Sequence, residues 1–134
     1  MIQNTSATNE KSEGYYSEYI QDRKPSDFGN KLISNWHGKM LDYVVRKNQL
    51  TPKQSFLEIG PGHGQFAARV LERQFDYIFV DMSESVYTSM NSNGFRGYNG
   101  KLRELPDSFG LFDVVWISHV LEHCPTWIEA REML

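Results

Sequence analysis

Two acids and three glycines carry most of the chemical information in this chain. Glu58 closes the apolar run Phe56-Leu-Glu-Ile59, and Gly60, Gly62 and Gly64 follow on alternate positions within Gly60-Pro-Gly-His-Gly64. Glycines at that spacing let backbone N–H groups approach a ligand with no Cβ in the way. A carboxylate just before such a turn is ill suited to a phosphate cradle. It suits a ligand carrying positive charge beside a nucleoside-like part. Asp81 ends a second apolar run, Tyr77–Val80, where an acid can accept two hydrogen bonds from a ribose diol. A third group, His119-Val-Leu-Glu-His123, lies directly after the apolar Asp113–Ser118. It offers His119 as a base, and it formally matches the H-x-x-E-H pattern of inverted zinc sites. That pattern needs both histidines on one face of a long helix, and Pro125 arrives too soon for one, so no metal site is expected.

The elements that must hold these residues follow from spacing. From Asp27, a plausible N-cap, the apolar residues Phe28, Leu32, Ile33, Trp36, Met40, Leu41, Val44 and Val45 recur at three- and four-residue steps. They predict a long amphipathic helix ended by Thr51-Pro52. Ser55–Ile59 then reads as a buried strand and Gln65–Gln74 as a helix with Phe66, Val70 and Leu71 inward. Tyr77–Val80 is a second strand. Ser83 caps a helix that stops at Asn93-Gly94. Phe95–Tyr98 is a weak third strand, Asp113–Ser118 a strong fourth, and Thr126-x-x-Glu129 a capping box for a helix from Trp127. This alternation predicts an α/β fold: a Rossmann-like parallel sheet of about four strands with flanking helices and ligands at the carboxyl ends of the strands. Three regions are expected: a polar mobile arm at 1–14, a helical cap at 15–52 that includes Tyr15, Tyr16 and Tyr19, and a ligand-binding domain at 53–134.

Composition sets outer bounds. The 134 residues, 40% hydrophobic and 13% aromatic, suffice for one core. A formal net charge of -3 gives no reason to expect nucleic-acid or anionic-membrane binding. The single cysteine, Cys124, excludes an intrachain disulfide and fits a reducing, cytoplasmic setting. No apolar run approaches the roughly 18 residues of a membrane span.

Taken together, Phe56–Gly64, Tyr77–Asp81 and Leu105–His123 resemble the class I S-adenosylmethionine-dependent methyltransferases. The resemblance covers about residues 53–134. It implies methyl transfer from S-adenosyl-L-methionine to a small-molecule acceptor. Gly60, Gly62 and Gly64 would pack against the methionine part and the ribose, and Asp81 would bind the ribose hydroxyls. Met82 would lie against the adenine, with backbone near Leu102 holding its edge. Glu58 would meet the methionine amino end, either directly or through water, or would hold the turn by accepting backbone N–H bonds. Ser118 and His119 would border the sulfonium, His119 being the candidate general base. The family often places an acid where Lys101 stands, and lysine cannot accept a hydrogen bond from the adenine amino group.

Other readings compete. Gly62-His-Gly-Gln-Phe-Ala67 fits the G-x-G-x-x-A turn of an NAD-binding Rossmann domain, although Glu58 has no role there. The methyltransferase fold also has three further strands after the fourth, so the sheet is expected to stop short of them. That raises the alternative of a cofactor-binding, non-catalytic half-domain used for interaction. An open edge of Val114, Val115, Trp116 and Ile117 would then favour self-association.

Overall fold

The computed structural model describes residues 27–133. The expected arm and Tyr15, Tyr16 and Tyr19 lie outside the described residues. Helix α1 (Asp27–Asn48) leads into β1 (Ser55–Ile59), α2 (Gln65–Glu72), β2 (Asp76–Asp81), α3 (Glu84–Ser92) and β3 (Gly97–Asn99). After two single 3₁₀ turns, Leu102–Glu104 and Asp107–Phe109, come β4 (Val114–Ile117), a third such turn at Leu121–His123, and α4 (Trp127–Met133). The four strands form one parallel sheet in the order β3-β2-β1-β4. This is the α/β architecture the alternation predicts.

Register explains which residues are inside. Phe56 is level with Tyr77 and Val114, and Glu58 with Phe79 and Trp116, so these six side chains share one face of the sheet. Phe66, Ala67 and Val70 of α2, Val86 and Met90 of α3, and Leu41 of α1 close over that face. Phe56, Phe66 and Phe79 are fully buried, each worth about 1.5–3 kcal/mol of transfer free energy. The opposite face buries Leu57, Ile59 and Val80 but leaves Val115 half exposed.

Helix α1 departs from the face its periodicity predicts. Leu32, Ile33 and Trp36 are exposed, while His37 and Leu41 are buried. The reason lies in how α1 docks on α2. Arg69 Nε donates to Ser34 Oγ at 3.0 Å, and Arg73 Nε donates to Asp42 Oδ1 at 2.8 Å. These contacts rotate the polar side of α1 toward α2 and carry part of its apolar stripe to solvent. Leu71, expected inward on α2, is likewise exposed, because the helix buries only the narrow stripe of Phe66, Ala67 and Val70.

Candidate functional site

The strand order reverses between β1 and β4, and in an open parallel sheet the crevice outside the carboxyl ends at such a point is where ligands sit. The glycine turn occupies that position. Gly60, Gly62 and Gly64 all have positive φ, at 70°, 56° and 78°, a conformation that costs an L side chain roughly 1–2 kcal/mol. Their surroundings differ. A Cβ on Gly60 would meet Val120 Cγ2 at 2.5 Å, and one on Gly64 would meet Met90 Sδ at 2.9 Å, whereas one on Gly62 would meet nothing within 4 Å. Gly60 and Gly64 are therefore fixed by packing, and Gly62 turns its bare side to open space where a ligand can approach.

Asp81, at the end of β2, stands beside this turn in the sheet. Its Oδ1 accepts from the Ser83 backbone N–H at 2.8 Å, and Ser83 Oγ accepts from Val86 N at 3.4 Å to cap α3. Among the described residues nothing occupies Asp81 Oδ2, which leaves an acceptor for a ligand. Burial raises the Asp81 carboxyl to about 6, against the Ser83 hydrogen bond that lowers it. The Asp81 carbonyl accepts from Gly100 N at 2.9 Å and Asn99 Nδ2 at 3.0 Å, so the loop after β3 is tied to the same corner. Met82, 38% exposed, and the partly buried Leu102 flank that corner. Lys101 donates its backbone N–H to Glu104 Oε2 at 3.2 Å.

Glu58 has a different environment from the one its spacing suggests. It is 3% exposed, and the partner the structure gives it is the Tyr77 hydroxyl, which donates to Glu58 Oε2. Burial raises the Glu58 carboxyl to about 8, with the Tyr77 bond opposing and the Asp81 charge reinforcing the rise. Burial also raises the Tyr77 hydroxyl, helped by the Glu58 charge. Glu58 is thus a largely protonated acid in the core beneath the turn. Tyr77 lies two residues before Phe79, the residue paired with Glu58 on the neighbouring strand, and so is diagonal to Glu58 on the same face. A polar hydroxyl within an apolar strand, two positions out of register with a buried acid, is the signal that could have found it.

At β4, Ser118 is partly buried and His119 is exposed with φ +57°. His119 Nδ1 is 3.1 Å from Glu122 Oε1, an exposed contact between the bend and the 3₁₀ turn after it. The Glu122 carboxyl is lowered chiefly by a hydrogen bond from its own backbone, opposed by burial, with the His119 hydrogen bond adding a smaller lowering. The His119–His123 segment is a single turn rather than a long helix, and among the described residues no three His, Cys, Asp or Glu side chains converge on a metal position. No described helix is long and apolar enough to cross a membrane. His37 and Trp116, neither singled out as site residues by spacing, meet beside Phe66 close to the turn.

Comparison with known proteins bears on the fold and the family. The fold is similar to the crystal structure of a proposed sarcosine dimethylglycine methyltransferase from Galdieria sulphuraria, at a TM-score of 0.61 and 15% identity. The match covers 92% of this chain and 54% of that one, so the chain spans about half the length of its structural neighbour. No curated protein sequence matches. Residues 57–134 match the family model described as the methyltransferase domain. That stretch opens inside β1, ahead of the glycine turn, and takes in Asp81 and the His119 bend; the chain belongs to the methyltransferase domain family.

Proposed function

We propose that this chain binds S-adenosyl-L-methionine across the glycine turn and serves methyl transfer to a small-molecule acceptor. The observation that carries the reading is the bare side of Gly62 facing open space beside Asp81, at the switch point of the sheet. Asp81 Oδ2 would accept from the ribose hydroxyls. Met82 and Leu102 would enclose the adenine, and with Lys101 in place of an acid its amino group would fall to backbone acceptors. Ser118 would border the reacting end. The cofactor supplies an activated methyl on a sulfonium. The protein contributes position and orientation, and His119, braced by Glu122, would take the proton of a protic acceptor.

Calorimetry tests this directly. S-adenosylhomocysteine should bind the chain and NAD should not, which separates the reading from a dinucleotide-binding domain. Asp81→Ala should weaken S-adenosylhomocysteine about 10- to 100-fold, the usual effect of losing a charged hydrogen-bond acceptor. Affinity unchanged in Asp81→Ala would sink the site assignment. A second reading, cofactor binding without transfer, is favoured by the side-chain exposure of His119, 79%, which leaves the imidazole in water. Binding with no transfer to any small hydroxyl, amine or thiol acceptor would select it.

A further inference from the structure

His37 Nδ1 and Trp116 Nε1 are both buried with no hydrogen-bond partner among the described residues. A buried polar atom left unpaired is costly, and two in one place call for an explanation. They belong to a single aromatic cluster. The Trp116 ring stacks on Phe66 with centroids 4.3 Å apart and planes 10° apart. The His37 ring stands edge-on to Phe66 at 5.8 Å and to Trp116 at 6.4 Å. Trp116 is the penultimate residue of β4, and Phe66 is the second residue of α2, two beyond Gly64. The two orphan nitrogens therefore lie at the carboxyl end of the sheet, next to the glycine turn and on the side of β4 that leads to Ser118 and His119.

We infer that His37 and Trp116 form a subsite for a neutral hydroxyl group of the methyl acceptor. The assignment follows from what each nitrogen can do. An indole N–H only donates, so the bound group must accept from Trp116. That excludes an ammonium. His37 is kept neutral by burial, with the nearby His119 adding to the effect, and a neutral imidazole offers a lone pair on one nitrogen. A hydroxyl has the right chemistry for both: it would accept from Trp116 Nε1 and donate to His37 Nδ1. A carboxylate would bring an uncompensated charge among three aromatic rings, which is costly. Both nitrogens are covered in this structure, so entry of the hydroxyl requires the cluster to open.

The inference rests on the methyl-transfer reading only for the word acceptor; the subsite itself is tested without cofactor. Phenol is the probe, with toluene and benzoate as controls, titrated into the full chain and followed by ¹⁵N NMR of the indole and imidazole nitrogens. Phenol should shift the Trp116 Nε1–H and His37 Nδ1 resonances together and saturably. Toluene, which lacks the hydroxyl, should bind at least about tenfold more weakly, the value of one buried hydrogen bond. His37→Phe and Trp116→Phe, which keep an aromatic ring in the cluster, should abolish the preference for phenol over toluene. Equal binding of phenol and toluene would overturn the proposal, as would preferential binding of benzoate. It would also fail if the two nitrogens proved to be bonded to an internal water that phenol does not displace. S-adenosylhomocysteine binding, measured in the same samples, keeps the two readings apart. If it is lost while phenol still discriminates, the methyl-transfer reading fails and the subsite stands; the converse fails the subsite alone.

Discussion

The most consequential residue is Glu58, because the core buries its carboxyl against the Tyr77 hydroxyl. Burial holds its carboxyl at about 8, far above the ordinary value near 4.3. In the folded chain Glu58 therefore keeps a proton that the unfolded chain has released across the interval between these values. A folded state that binds more protons loses stability as pH rises. The contribution is full below the ordinary carboxylate range and is gone above about 8. Asp81, raised to about 6, adds a shorter segment of the same sign. Thermal denaturation should show the melting temperature falling from pH 5 to 8, at a slope of at most about 1.4 kcal/mol per pH unit from Glu58. Glu58→Gln, which keeps a neutral side chain of the same shape, should flatten the curve; an equally steep curve in the variant would remove Glu58 as its cause. The glycines make a second residue-scale test. Gly62→Ala should fold, at a cost of about 1–2 kcal/mol for its positive φ, yet lose cofactor affinity because the new methyl fills the open side of the turn. Gly60→Ala adds a collision with Val120 and should be the more destabilising in a paired melting experiment. Equal melting temperatures and unimpaired binding in both would refute the distinction.

At the scale of elements, legibility depended on whether a local rule or a tertiary contact decided the outcome. Strand β1, Ser55–Ile59, was readable to the residue because an apolar run sits between a Pro-containing turn and the glycines. The Ser83 cap and the start of α4 at Trp127 were readable because capping chemistry is local. The inward face of α1 was not, since arginines on α2 set its rotation. Strand β3 was placed at Phe95–Tyr98 and forms at Gly97–Asn99. Phe95 instead turns its ring toward Tyr77, and a Cβ on Gly97 would run into the Phe79 ring. That close approach leaves no local trace. The fold and the glycine turn were thus open to reading, whereas the Tyr77 partner of Glu58 and the His37–Trp116 pair needed the register. Asp113 shows a further device that spacing hid. Its carboxylate accepts from Ser55 N at 2.7 Å, Ser55 Oγ at 3.0 Å and Gln54 Nε2 at 3.2 Å, clasping the start of β1 to the start of β4. These bonds lower the Asp113 carboxyl, led by the Ser55 N–H. The clasp therefore stabilises above the ordinary carboxylate range and is lost as pH falls through it. Asp113→Ala should melt below the parent chain at pH 7, and the gap should close in acid; a gap that persists at acid pH would mean that the charge is not what matters.

At the scale of the whole molecule, the described sheet is covered unevenly. Helices α1, α2 and α3 close over one face. On the other, Val115 is 54% exposed; elsewhere in the chain, Trp127 and Ile128 of α4 are 76% and 58% exposed. Leu111, just before β4, is 95% exposed. Among the described strands β4 lies at the border of the sheet, so its outer backbone groups have no strand partner there, and Val115 of the same strand is exposed. Unpaired edge groups beside exposed apolar side chains are a template for strand addition. We propose that a second copy of the chain covers this edge, pairing β4 with its counterpart. Analytical ultracentrifugation should give a mass that rises with concentration through the micromolar range. Val115→Lys places a charge on the exposed side chain of the edge strand, a device that natural sheets use against such pairing, and should return the chain to monomer without lowering its affinity for S-adenosylhomocysteine. Because Val115 belongs neither to the glycine turn nor to the Asp81 corner, loss of both properties together would mean that the variant is misfolded, which a melting curve reveals. A parent chain that stays monomeric at every concentration would rule out the edge as a contact between copies.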